Sequence, residues 1–126
     1  MARWLFKEEP SHYSYEQLER DGSTLWDGVA NALALQHLRK IRRGDAIFFY
    51  QSGKDKAIVG VMEATADATP AGAVTVRAVR RLARPVTLAA VKADPAFATW
   101  ELTRLPRLSI MPVSAKLWQR VLRLGG

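Results

Sequence analysis

The chain has 126 residues, 48% hydrophobic and 25% charged, with no cysteine. This is the size of one globular domain, residues 1–126, and it excludes disulfide staples, thiolate metal sites and cysteine nucleophiles. Nineteen Lys and Arg against twelve Asp and Glu give a formal charge of +7, which points to polyanionic partners.

The opening Arg3-Trp4-Leu5-Phe6-Lys7 is short and aromatic and stops at Pro10, so it reads as a strand. Ser14 and Gln17 have the spacing of a capping box, which predicts a short helix over 15–20. Asp21 to Thr24 reads as a turn and Leu25 to Val29 as irregular extended chain, ending at Asn31, a good helix N-cap. From Ala32 the apolar residues Leu35, Leu38 and Ile41 recur at helical spacing, with Gly44 placed to close the helix. The β-branched and aromatic run Ala46–Tyr50 predicts a strand, residues 51–56 a turn, and 57–66 a second strand, with Gly60 marking a close approach. From Val74 to Leu82 the pattern alternates with period two, and Arg84-Pro85 is expected to end it. Thr87 caps a short helix to about Ala93, and Asp94-Pro95 opens a turn. Residues 108–113 form a strand closed by proline, and Ser114 caps a last helix through Leu124. Short strands with helices between and after them predict an α+β fold: a strongly bent mixed sheet or pseudo-barrel with peripheral helices.

The longest apolar run, Ala46–Tyr50, is five residues, against about 20 for a spanning helix, so no membrane segment is expected. The charges at Lys7–Glu9 leave no room for a signal-peptide core, and the expected location is cytoplasmic in a bacterium or nuclear in a eukaryote. Charge is unevenly spread. Residues 1–63 hold nine basic and nine acidic residues, whereas 64–126 hold ten basic and three acidic, eight of the ten being Arg. The guanidinium fork suits phosphate, which makes Arg77, Arg80, Arg81, Arg84, Arg104 and Arg107 the candidate nucleic-acid backbone contacts.

Catalytic chemistry is hard to assemble. His12 and His37 are the only histidines, too few for a zinc site, so no metal is expected. No glycine-rich phosphate cradle occurs, no cofactor is implied, and Ser14 and Ser114 are already explained as caps. The pattern is instead suited to holding a nucleobase outside its helix, which needs an aromatic plane and a few donors and acceptors. Trp26, Asn31, Tyr50, Ser52 and Ser109 supply those groups.

The segments Trp4-Leu5-Phe6-Lys7-Glu8-Glu9-Pro10 and Trp26-Asp27-Gly28-Val29-Ala30-Asn31 resemble those of the EVE domain family. So do Gly44-Asp45 with Phe48-Phe49-Tyr50-Gln51-Ser52, then Ile58-Val59-Gly60, Arg84 to Leu88 and Arg107 to Val113, all in order along the chain. The resemblance implies a PUA-like fold and a pocket for a flipped, modified base of the 5-methylcytosine type. Carried over by position, Trp26 belongs to a stacking wall, Asn31 and Ser52 bond the base edge, Tyr50 and Ser109 line the rim, and Lys7 and Glu9 lie near the floor. Glu8, Ala30 and Gln51 depart from the family pattern, and Thr69–Ala73 is a tight connection where relatives often carry a longer loop. The expected function is a non-catalytic, monomeric reader of modified bases, in DNA before RNA. Two alternatives stand beside it. One is a protein-interaction subunit of a modification-dependent restriction or RNA-modification system. The other is an enzyme acting on a nucleobase, with Glu9 as acid and base beside Lys7.

Overall fold

Tyr15 and Gly60 show how the sheet is held in its bent shape. The computed structural model describes residues 1–126, with strands β1 (Arg3–Glu8), β2 (Ser23–Trp26), β3 (Ala46–Gln51), β4 (Ala57–Ala64), β5 (Val74–Thr87) and β6 (Ile110–Pro112). They form one sheet in the order β2-β5-β4-β3-β1-β6. Only the β1–β3 pair is parallel. The helices are α1 (Tyr15–Asp21), α2 (Ala32–Arg39), α3 (Leu88–Ala93), α4 (Glu101–Arg104) and α5 (Ala115–Gly125), with a 3-10 turn over Pro95–Phe97. A Cβ on Gly60 would come within 2.4 Å of the Tyr15 ring, so the close approach expected at that glycine is made by an aromatic side chain. The Tyr15 hydroxyl lies 2.8 Å from the Val61 and Arg80 carbonyls and donates its proton between them, which pins α1 across β4 and β5.

The curl is visible in one set of distances. In a flat sheet β2 would stand three strand spacings, about 14 Å, from β3. The Trp26 ring at the end of β2 instead lies 5.7 Å from Phe49 of β3 and 5.0 Å from Phe6 of β1, centroid to centroid. The bending comes largely from β5, whose pairing with β4 shifts register twice, between Val61 and Met62 and between Ile58 and Gly60. Extra residues on one strand bend it and increase its twist. The second shift also corrects the expected end of this strand. Arg84-Pro85 does not stop β5, which runs on to Thr87. The four residues Leu82–Pro85 lie opposite Val59 alone, so Pro85 occupies a bulge where no ladder N–H is required.

Other boundaries move too. β2 begins at Ser23, inside the predicted turn, because Ser23–Trp26 finds a partner in Val74–Arg77. β4 ends at Ala64, and β6 is only Ile110–Pro112. α2 ends at Arg39, with Lys40 rather than Gly44 as its cap. The chain leaves the helix because buried Asp45 accepts hydrogen bonds from Arg42 N, Ala2 N and Trp4 Nε1, gathering three segments on one carboxylate. Four predicted caps are in place: Ser14, Asn31, Thr87 and Ser114 each accept a backbone N–H of the helix that follows. On one face of the β1–β3 pair, Phe48 stacks on Trp118 of α5 at 3.7 Å. On the other, Trp4 meets His37 of α2 and Phe6 meets Trp26. Coverage of both faces explains why Trp4, Leu5 and Phe6 are consecutive buried residues. None of the helices is long and apolar enough to cross a membrane.

Candidate nucleic-acid interface

β1 and β3 run parallel and in register, so Lys7 pairs with Tyr50 and Glu8 with Gln51 at the same end of the sheet. Ser52 N donates to the Glu8 carbonyl and Lys7 N to the Ser109 carbonyl. Lys7, Tyr50, Ser52 and Ser109, distant in sequence, therefore meet at one end of the sheet, Ser109 through its backbone carbonyl. Side chains alternate along a strand, and the two residues at the end of β1 enter different cavities. Lys7 lines a cavity of about 370 Å³ with Tyr50, Ser52, Lys56, Lys92 and Pro106. Glu8 lines a second, of about 230 Å³, with His12, Tyr13, Trp26 and Asp27.

The larger cavity is built for hydrogen bonding against an aromatic wall. Tyr50 is 3% exposed. Arg3 Nε is the one buried side-chain polar atom left without a partner, and the Tyr50 hydroxyl has no partner within the chain, so that hydroxyl opens onto the cavity. Burial raises its pKa above the ordinary tyrosine value, which keeps the proton on the oxygen as a donor at neutral pH. Lys7 Nζ lies 5.6 Å from the Tyr50 ring centre and donates to the Pro106 carbonyl at 2.9 Å. Its pKa is lowered by burial. Pro106 is shared with a third cavity, about 320 Å³, lined by Asn31, Leu33, Leu105, Arg107 and Leu108. The Asn31 carboxamide oxygen is committed to Ala34 N as the α2 cap, which leaves its NH₂ as the group available to a ligand.

Trp26 is placed differently from the rest. Only 8% of it is exposed, its ring packs on Phe6 and Phe49, and its open edge lines the Glu8 cavity rather than the Tyr50 one. Glu9 is exposed, its carboxylate against Gly53, where a Cβ would stand 2.6 Å from the oxygens. It therefore sits at the rim, beside Ser52, and forms no ion pair with Lys7. No group of three or more His, Asp or Glu side chains stands together.

The arginines fall into two groups. On β5, Arg77 pairs with Glu63 at 3.0 Å and Arg81 with Glu19, while Arg80 and Arg84 donate to the Gly126 and Leu124 carbonyls at the end of α5. None of these four lines the cavities described above. Arg104 donates to Thr99 O, and Arg107 borders the Asn31 cavity. Sequence reasoning passed over Lys54, Lys56 and Lys92, which border the Tyr50 cavity or the one adjoining it. The available signal was Lys-Asp-Lys in a turn and, two strands later, a lone lysine on α3. Lys56 is the only non-glycine residue with a left-handed backbone, φ 44°, a conformation that costs about 1–2 kcal/mol for an L side chain.

A family model described as the EVE domain matches residues 2–124. The chain belongs to the EVE domain family. Among curated proteins it is 35% identical over 81 residues to human thymocyte nuclear protein 1, a match covering 55% of this chain and 36% of that one. The chain thus spans about a third of the length of the curated relatives it matches. Among solved structures, a protein from Rhodopseudomonas palustris is 40% identical with a TM-score of 0.94, covering 100% of this chain and 94% of the other. Human THYN1, solved in complex with 5-methylcytosine-containing DNA, is 28% identical with a TM-score of 0.92, covering 99% and 98%. This EVE domain shares with those neighbours the PUA-like arrangement of a curled, mixed half-barrel flanked by helices.

Proposed function

We propose that this EVE domain is a non-catalytic reader that takes a flipped, modified base of the 5-methylcytosine type into the Tyr50 cavity, from DNA in preference to RNA. The observation carrying the reading is the cavity itself. An aromatic hydroxyl, a serine and an ammonium converge at the joined ends of β1 and β3, with Asn31 and Arg107 across Pro106. Extrusion of a base costs a few kcal/mol, and Tyr50, with Lys7 over its ring, offers the base its hydroxyl rather than an open stacking face. Hydrogen bonds to the base edge and backbone contacts offset that cost. Support comes from the family and from human THYN1, which was solved on DNA carrying that modified base.

Binding to oligonucleotides that differ only in one base, cytosine or 5-methylcytosine, tests the proposal. A preference for the methylated strand is expected, and the double substitution Tyr50→Phe, Ser52→Ala should reduce it with little change in stability. Equal binding of both strands rejects the reading. The Trp26 cavity offers a second seat, since it combines an indole edge with the Glu8 carboxylate and His12. Loss of the preference on Glu8→Gln but not on the Tyr50 and Ser52 changes would move the base there.

A further inference from the structure

Two cavities of about 370 and 380 Å³ adjoin on this surface and share Lys56, Leu88 and Lys92, and the second adds Lys54. Lys54, Lys56 and Lys92, from the β3–β4 turn and α3, thus join Lys7 around one continuous depression. None of them is in an ion pair. Of the two carboxylates nearby, Asp55 accepts from Gln51 Nε2 at 2.7 Å and Glu9 lies against Gly53. The arrangement is fixed by the backbone: Leu88 N donates to the Lys56 carbonyl at 2.7 Å, tying the β3–β4 turn to the start of α3. Lys56 holds a left-handed position that glycine would occupy without strain.

We propose that Lys56 and Lys92, with Lys54 behind them, form a phosphate-binding rim that holds the phosphodiester next to the nucleotide seated in the Tyr50 cavity. The inference rests on the reading of that cavity as a base pocket. It assigns backbone recognition to lysines beside the pocket. The β5 arginines, by contrast, already have internal partners.

The test uses short single-stranded oligonucleotides with one central 5-methylcytosine. The two flanking phosphates are either native or replaced by neutral methylphosphonates. The wild-type protein is expected to lose about tenfold in affinity on the neutral linkages, the size of one charge-assisted hydrogen bond. The variant Lys56→Gly, Lys92→Gln should lose a similar factor on the native strand and nothing further on the neutral one. Glycine suits the backbone at position 56, so this variant is expected to fold, and a urea midpoint near wild type verifies it. Wild-type affinity of the variant for the native strand overturns the rim. So does a full methylphosphonate penalty retained in the variant. If the wild type ignores the cytosine methyl group while lysine and linkage effects remain coupled, the base pocket falls and the rim stands.

Discussion

At the scale of single residues, Trp26 and Gly60 carry loads that their sequence context hides. Trp26 joins the far edge of the sheet to β1 and β3 through Phe6 and Phe49. Truncating a buried tryptophan costs about 3–5 kcal/mol, against a total of about 5–15 kcal/mol for a domain. Trp26→Ala is therefore expected to lower the urea midpoint steeply, and any loss of binding in it reports unfolding first. Trp26→Phe, which keeps a ring on Phe6, is the variant to use for binding. Wild-type stability of Trp26→Ala would show that the ring does not close the half-barrel. Gly60 is coupled to one partner. A methyl there collides with the Tyr15 ring, so Gly60→Ala should destabilise by about 1–3 kcal/mol, the usual cost of overpacking. In a Tyr15→Ala background the same change should cost far less. A double-mutant cycle reads that coupling directly, and additive effects would rule out the contact as its cause.

At the scale of elements, α2 supplies a pH-sensitive contact. His37 packs against Trp4. Burial is the main cause lowering its pKa, Lys40 adds to the effect, and Glu101 partly opposes it. The unfolded chain therefore binds a proton more readily than the folded one below about pH 6.5. Stability from this group is complete above that value, declines as pH falls toward the lower folded pKa, and is level below it. Denaturation at a series of pH values between about 7 and 5.5 should show the decline, and His37→Gln should flatten it. An unchanged slope in that variant would place the proton elsewhere. Elements also mark where sequence was informative. Caps at Ser14, Asn31, Thr87 and Ser114 were legible because each is decided within four residues. The alternation of Val74, Val76 and Ala78 against Thr75 and Arg77 was legible for the same reason, and it matches the burial of that stretch. The course of β5 past Pro85 was not, since it depends on a bulge opposite Val59, a residue remote in sequence. Nor was the end of α2, which is set by the Asp45 carboxylate. The buried face of α5 runs through Trp118 and Val121, whereas Leu117, Val121 and Leu124 form an equally good helical stripe on paper.

For the whole molecule, the question is which cationic face meets a polyanion. The excess charge lies in the second half of the sequence, and composition alone directs attention to the arginines of β5. Folding divides that charge. Arg77 and Arg81 are matched by Glu63 and Glu19 from neighbouring elements, so part of their field is cancelled where they stand. Lys56 and Lys92 come from a balanced and a basic half respectively, and they meet beside the Tyr50 cavity without a carboxylate partner. Each phosphate neutralised on a single strand contributes about 0.7 to the slope of log affinity against log salt. Replacing Lys56 and Lys92, which hold one phosphodiester, should therefore reduce that slope by about 0.7. Replacing Arg80 and Arg81 by Gln should change it by less than half as much, because Arg81 is already spent on Glu19 and Arg80 donates to the Gly126 carbonyl. Affinities measured across a salt series for the two double variants decide between the faces. A larger drop in slope for the arginine pair would mean that the nucleic acid lies across β5, with the lysine-bordered cavity facing away from it.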